Sequence, residues 1–154
     1  MLKQLFFALG LLNNLLLIVI FVLRKRQSMD VVRRVGYAYL ALAIPAIYGI
    51  YLVTRTENAA RHGVFLGIFL AFLALEALYD FVLKVPFRQN WKLVTPYLVL
   101  YYAMNYGFVV MVWKTNLAGG ILMLVLFVVQ IVVNLVTHGK FPWEKTPSQG
   151  AGGG

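Results

Sequence analysis

The sequence predicts an all-α integral membrane protein with about five transmembrane helices. Of its 154 residues, 62% are hydrophobic and 12% are charged, a balance too apolar for an ordinary soluble domain. The apolar residues form five long runs, each near the length of about 20 residues that a helix needs to cross a bilayer. A closed barrel would instead show alternating segments of about ten residues. The predicted fold is therefore a polytopic helix bundle.

The five runs define the predicted helices in chain order. They cover residues 5–23, 35–54, 64–85, 96–113 and 119–137, which together make one transmembrane unit over 1–138. Arg24, Lys25 and Arg26 follow the first run where a signal peptide would have a small-residue cleavage site, so we expect this run to stay as a helix. Residues 139–154 contain two prolines and end in glycines, and we expect a flexible cytoplasmic tail there.

Prolines and tryptophans mark the ends of the predicted helices. Pro86 and Pro96 bracket the third connection. Because proline has no N–H and disfavours helix in the preceding residue, they predict a third helix ending near 85 and a fourth beginning at 96. Trp91, Trp113 and Trp143 lie just beyond helix ends, where an indole prefers the headgroup layer. These positions agree with the boundaries drawn from the apolar runs.

The basic residues predict an orientation with the N-terminus outside and the C-terminus in the cytoplasm, because Lys and Arg accumulate in cytoplasmic connections. In this orientation ten of the 14 basic residues are cytoplasmic and four are outside. The ten are Arg24, Lys25, Arg26, Arg33, Arg34, Lys84, Arg88, Lys92, Lys140 and Lys145, and the four are Lys3, Arg55, Arg61 and Lys114. We therefore expect a multi-pass protein of the cell membrane, in contact with membrane lipids.

Composition also argues against several kinds of function. The chain has no cysteine, which removes disulfides, thiolate metal sites and cysteine nucleophiles. Its two histidines, His62 and His138, belong to opposite ends of the predicted bundle and cannot share one metal ion or haem. The net charge of +9 is concentrated between the apolar runs, which favours membrane topology over nucleic-acid binding. We predict no metal, no cofactor and no nucleic-acid partner.

Glu76 and Asp80 are the first candidates for a functional site. They lie four residues apart in the third predicted helix, on one face and at membrane depth. An ionisable group there costs about 2.5 to 3.5 kcal/mol to insert, and such groups usually face protein or water and often mark function. In the structural alternative, Asp80 pairs with Lys84 or Arg88, and Glu76 hydrogen-bonds Asn105 or a tyrosine.

Two further polar stripes occur at similar depths. They consist of Tyr97, Tyr101 and Asn105 in the fourth predicted helix and of Gln130, Asn134 and His138 in the fifth. If the stripes face the acidic pair, they form a polar intramembrane site. Its members are Glu76, Asp80, Tyr101, Asn105, Gln130 and Asn134. The alternative is a set of interhelical hydrogen bonds. We expect Asn13 and Asn14 to face inward as packing contacts.

Gly63, Gly67 and Ala71 place a small residue at every fourth position of the third predicted helix. This spacing lets another backbone approach closely and predicts a helix-packing surface. The neighbour is either another helix of the chain or a second copy. On this basis we expect Gly67→Leu to disrupt assembly or stability more than Leu66→Ala does.

Three classes of function fit these features. We prefer an accessory or scaffold subunit of a larger membrane assembly, held by other membrane subunits or by copies of itself. The connections are too short to form a separate domain, and no known catalytic motif is present, so an enzyme is less favoured. The second class is a small carrier that moves a proton or cation past Glu76 and Asp80. The third is a membrane enzyme or binding protein for a lipid-like molecule, with the two carboxyl groups as acid and base.

Overall fold

The computed structural model describes residues 2–25, 29–56, 59–83 and 90–138, and these form an all-helical bundle. Five helical stretches are long and apolar enough to cross a membrane, which confirms the predicted fold class. The elements are α1 (Leu2–Lys25), α2 (Met29–Leu40), α3 (Ala43–Val53), α4 (Ala59–Ala77), a π-helical segment (Leu78–Leu83), α5 (Trp91–Trp113) and α6 (Leu117–His138). The second span is α2 followed by α3, and the third is α4 followed by the π segment. The orientation across the membrane stays a prediction.

The first helix is the centre of the bundle. It packs against α6, α5, α2 and α3, while α4 packs between α3 and α5. Phe6 of α1 contacts His62 of α4, and Arg24 of α1 contacts Asp80 of the π segment, so these two spans run in the same direction. We call the end of the bundle that carries Arg24 the Arg24 end and the opposite one the His62 end.

The buried stripe of α1 explains its central position. Phe6, Leu9, Asn13, Leu17 and Ile20 are all buried, and their spacing of three and four residues places them on one helix face. Four of these side chains are apolar and one is an amide. In a membrane an apolar stripe can equally face lipid, so the amide is what requires α1 to have protein around it.

Pro45 explains a break in the second span, which the sequence analysis treats as one continuous helix. The chain turns at Ala41 and Leu42 between α2 and α3. In an unbroken helix the Ala41 carbonyl would accept from residue 45, but proline has no N–H to donate. The Ala41 carbonyl instead accepts from the Ile44 N–H at 3.1 Å. The tighter turn keeps this carbonyl hydrogen-bonded within the second span.

Pro96 lies inside α5, so the prediction that the fourth helix begins at 96 is wrong. The helix starts at Trp91, where the Asn90 side chain caps it by accepting from the Lys92 N–H at 3.1 Å. The carbonyl that loses its Pro96 donor belongs to Lys92, an exposed residue at the helix end that water can reach. The connection with Pro86, Trp143 and the predicted tail at 139–154 lie outside the described residues.

Candidate functional site

Polar side chains in the core of the bundle form two layers at different depths. The mid-depth layer lies near the middle of the spans and joins α1, α2, α5 and α6. The charged layer lies closer to the Arg24 end and joins α1, the π segment, α4 and α5. The mid-depth layer consists of Asn13, Asn14, Tyr39, Tyr101 and Gln130, and the charged layer consists of Arg24, Glu76, Asp80 and Tyr97.

One contact of the mid-depth layer joins α1 to α2. The Tyr39 hydroxyl donates to Asn13 Oδ1 at 2.8 Å, and both side chains are buried. Tyr39 lies two residues before the break at Ala41, so this bond holds α2 to the central helix just ahead of the turn. The sequence analysis predicts that Asn13 faces inward, but it does not identify Tyr39 as its partner.

A second contact of this layer joins α1, α5 and α6. The Tyr101 hydroxyl donates to Gln130 Oε1, and Gln130 Nε2 donates to Asn14 Oδ1 at 3.2 Å and to the Asn14 carbonyl at 3.3 Å. Asn14 Nδ2 in turn donates to the Gly10 carbonyl at 2.8 Å. Gln130 is fully buried, so this network is the interhelical hydrogen bonding of the structural alternative. Asn134, one turn further along α6, is half-buried and interacts with a neighbouring group.

The charged layer is centred on one guanidinium nitrogen of Arg24. Its Nη2 atom contacts Asp80 Oδ2 and lies 3.4 Å from Glu76 Oε1. The side chains differ in access to solvent, with 18% of Arg24, 4% of Glu76 and 26% of Asp80 exposed. The cluster is therefore deepest at Glu76 and opens at Asp80 toward the Arg24 end.

The partners of the acidic pair agree in part with those proposed from sequence. Asn105 does not bond Glu76, because its Nδ2 donates to the Tyr101 carbonyl at 2.9 Å, within α5. The tyrosine that interacts with the Glu76 carboxyl is Tyr97. Asp80 pairs with Arg24, while Lys84 and Arg88 lie outside the described residues. The structure thus brings Glu76 and Asp80 together but leaves Asn105 in a different environment.

The π segment positions Asp80. A π-helix is wider than an α-helix and is rare except as single turns, which are frequent at functional sites. Phe81 of this segment packs on Tyr37 with 4.7 Å between ring centroids, and it lies against Gly36, where an added Cβ would be 2.9 Å from the ring. Glycine at 36 therefore lets α2 approach the π segment closely, on the same segment that carries Asp80.

Some buried polar atoms lack a hydrogen-bond partner of normal geometry among the described residues, and Asn13 Nδ2, Asn105 Oδ1 and Glu76 Oε2 are examples. Glu76 Oε2 belongs to the charged layer, and the other oxygen of the same carboxyl faces Arg24. On its His62 side, Glu76 is followed by the buried apolar side chains of Leu73 and Phe72. Within the charged layer, exposure is therefore greatest at Asp80 and Arg24, toward the Arg24 end.

The predicted packing surface faces away from the chain. Gly63 is half-buried, with Val53 Cγ1 4.0 Å from a Cβ added there, but Gly67 and Ala71 are exposed and nothing lies within 4 Å of a Cβ added at Gly67. Leu66 by contrast is only 1% exposed. Among the described residues no other helix approaches Gly67, and whether the neighbour of this surface is a second copy or another subunit stays a prediction.

The neighbouring helix α5 also presents polar groups outward. Tyr102 and Tyr106, one helical turn apart, are exposed, and within the described part of the chain neither hydroxyl has a hydrogen-bond partner. Tyr102 packs its ring on Phe127 of α6 with centroids 6.0 Å apart. Its ring is therefore held by the bundle while its hydroxyl is left at the outer surface.

Arg24 is a site residue that the sequence pattern does not reveal, because it follows the first apolar run and the charge rule places it in a cytoplasmic connection. A long basic side chain at a helix end can extend along apolar surface in either direction. Here it extends toward the two carboxylates. The signal in the sequence is that Arg24 is the first cation after a span, at a depth that matches Asp80 near the end of another span.

The residues described here do not support a metal site, since they contain no group of three or more His, Asp or Glu side chains placed to hold an ion. The chemistry of the charged layer is that of two carboxyl groups, a guanidinium and a phenol, which can exchange protons and form ion pairs. No protein-family model, curated protein or solved structure matches this chain.

Proposed function

We propose that this small multi-pass membrane protein is an accessory or scaffold subunit of a larger membrane assembly, with its Arg24 end in the cytoplasm. The observation that carries the proposal is the outward tyrosine pair on α5, Tyr102 and Tyr106. Both are polar groups on a surface that, in a lone chain, would be covered by lipid.

Of the two tyrosines, Tyr102 supports the proposal more strongly, because it lies deeper in the membrane. It lies midway between Trp91 and Trp113, the first and last residues of α5, about 16 Å from each at 1.5 Å per residue. A phenol is too short to bring its hydroxyl from there to either headgroup layer. Lipid tails offer no hydrogen-bond acceptor, so the hydroxyl stays unsatisfied unless another protein helix supplies one.

A second exposed surface, on α4, also suits close approach of a partner helix. Gly67, Ala71 and Ala74 are exposed on α4, which packs against α5. Small residues let a partner backbone come near. The partner that fits is a transmembrane helix with hydrogen-bond acceptors at mid-depth, from another subunit or a second copy.

The test is the mass of the chain purified in mild detergent from its native membrane, measured by native mass spectrometry. A subunit is expected above the 17.4 kDa of one chain. Tyr102→Phe and Tyr106→Phe should each weaken association about threefold, since interhelical hydrogen bonds average about 0.6 kcal/mol. Tyr101→Phe is the matched control, because its hydroxyl bonds Gln130 inside the chain and its loss should affect folding more than association.

A chain that runs at the mass of one copy at every detergent concentration tested, with Tyr102→Phe unchanged, would refute the proposal. The carrier alternative is less well supported, since transport needs Glu76 to reach water from both ends while Leu73 and Phe72 are buried on its His62 side. A lipid-modifying enzyme would need the two carboxyl groups free to work as acid and base, whereas Arg24 contacts both.

A further inference from the structure

The charges of the Arg24, Glu76 and Asp80 cluster do not balance. Two carboxyl groups contact the same nitrogen of a single guanidinium, so with both ionised the three side chains carry a net charge of −1. The Glu76 side chain is only 4% exposed, and a buried excess charge is costly at membrane depth. A single added positive charge would make the cluster neutral.

A second observation locates where that charge would bind. Glu76 Oε2 is buried and lacks a hydrogen-bond partner of normal geometry among the described residues, while Oε1 faces Arg24. A proton on Oε2 would turn this acceptor into a donor. The side chain of Tyr97 interacts with this carboxyl, and its hydroxyl oxygen can accept the resulting hydrogen bond.

We propose that Glu76, Asp80 and Arg24 form a binding site for one proton that is reached from the Arg24 end only. A proton fits this cluster better than a metal ion, because within the described ranges no third His or carboxylate joins the pair. Site occupancy then depends on the pH at the Arg24 end. The site is separate from the tyrosine surface of α5 and needs no partner subunit.

The exchange proceeds in two balanced steps. Hydronium at the Arg24 end gives up a proton, leaving water, and an O–H bond forms on Asp80, the most exposed of the three side chains. The proton then passes to Glu76 Oε2, and Asp80 recovers its negative charge and its ion pair with Arg24. The cluster changes from a net charge of −1 to neutral, with no other reactant.

The groups that face Glu76 come from each neighbouring element. Arg24 is on α1 and Asp80 is in the π segment, while Tyr97 of α5 and Tyr39 of α2 are the phenols close enough to interact with its charge. Of these, only Asp80 and Glu76 are carboxyl groups, so proton uptake in mildly acidic solution is expected to occur at this pair.

The experiment is infrared difference spectroscopy of the full chain in nanodiscs, stepped between mildly acidic and mildly alkaline buffer. The wild type should show the carbonyl band of one buried carboxylic acid that responds to the pH step. Glu76→Gln should abolish the band. Asp80→Asn should also abolish it, because one carboxylate then balances one guanidinium. Asp30→Asn is the matched control, since Asp30 is exposed on α2 and its loss should leave the band unchanged.

A wild-type spectrum without such a band would overturn the proposal, as would a band that survives Asp80→Asn. Asp80→Asn tests the proposal by itself if Glu76→Gln does not fold. A band whose intensity depends on sodium concentration would show that the cluster binds a metal cation, and would refute the assignment of a proton. Steady proton flux across vesicles containing the chain would refute access from one end only. Association mass is a separate measurement, so failure here leaves the subunit proposal intact.

Discussion

Gly120→Ala offers the sharpest test of the helix packing. Gly120 lies in the first turns of α6, directly against the last turn of α5. A Cβ added there would be 2.7 Å from Trp113 Cα, a distance that real Cβ atoms essentially never show. Trp113 Cα is backbone, and the two helices are joined by the short turn that contains Lys114 and Asn116. The contact therefore cannot be relieved by rotating a side chain.

The magnitude follows from two opposing effects. Inserting a methyl group into a filled contact costs about 1–3 kcal/mol, and a clash with backbone belongs at the upper end. Alanine also gains up to about 1 kcal/mol over glycine in a helix interior. We expect Gly120→Ala to lower the free energy of unfolding by about 2 kcal/mol. At Gly67 no atom of the described residues lies within 4 Å of the added Cβ. Gly67→Ala therefore gains helix propensity without a steric clash.

The assay is reversible unfolding in mixed micelles with increasing dodecyl sulfate, followed by tryptophan fluorescence and circular dichroism. Gly120→Ala should unfold at a lower detergent fraction than the wild type, and Gly67→Ala at the same fraction or a higher one. Gly119→Ala is expected between them, because its nearest atom is the Val112 side chain at 2.9 Å. Equal midpoints for Gly120→Ala and Gly67→Ala would refute the reasoning.

Three further predictions rest on other parts of the bundle. Gln130→Leu should destabilise the chain by about 1–3 kcal/mol in the same assay, because it leaves buried partners unsatisfied on α1 and α5. Leu66→Ala should cost about 2–5 kcal/mol and Gly67→Leu far less in the isolated chain, the reverse of the order expected from sequence. For topology, an impermeant thiol reagent on intact cells should label a cysteine at Asn116 and not one at Gln27; labelling at Gln27 would invert the orientation.

The number and place of the spans could be predicted from the sequence because both depend on local properties. Apolar runs of about 20 residues need no knowledge of their neighbours. Tryptophan positions at 91 and 113 agree with the ends of α5. Proline positions predict helix ends less well. Pro45 breaks the second span, while Pro96 lies inside α5. Each proline leaves one carbonyl without its usual N–H donor, and only the carbonyl of Lys92, at the end of α5, can bond to water instead.

The candidate site could be predicted only in part, because its partners are set by how the helices rotate against each other. Helical periodicity places Tyr101 and Gln130 on the polar stripes of their helices, but it does not reveal that the two side chains bond each other. Arg24 was treated as a topology signal, although one side chain can both follow the charge rule and extend inward. Asn105 shares a stripe with Tyr101 in sequence, yet it bonds its own helix.

The hydrogen bonds between Asn14 and Gln130 have a consequence for how the protein is made. They join the first helix to the last, across 116 residues of sequence. During synthesis α1 enters the bilayer before α6, carrying an Asn14 side-chain oxygen whose donor on α6 has not yet been translated. Until α6 arrives, that oxygen needs a temporary partner, such as a lipid headgroup, water or an insertion factor. Truncation before residue 130 should therefore leave an inserted but unclosed chain, a natural substrate for membrane quality control.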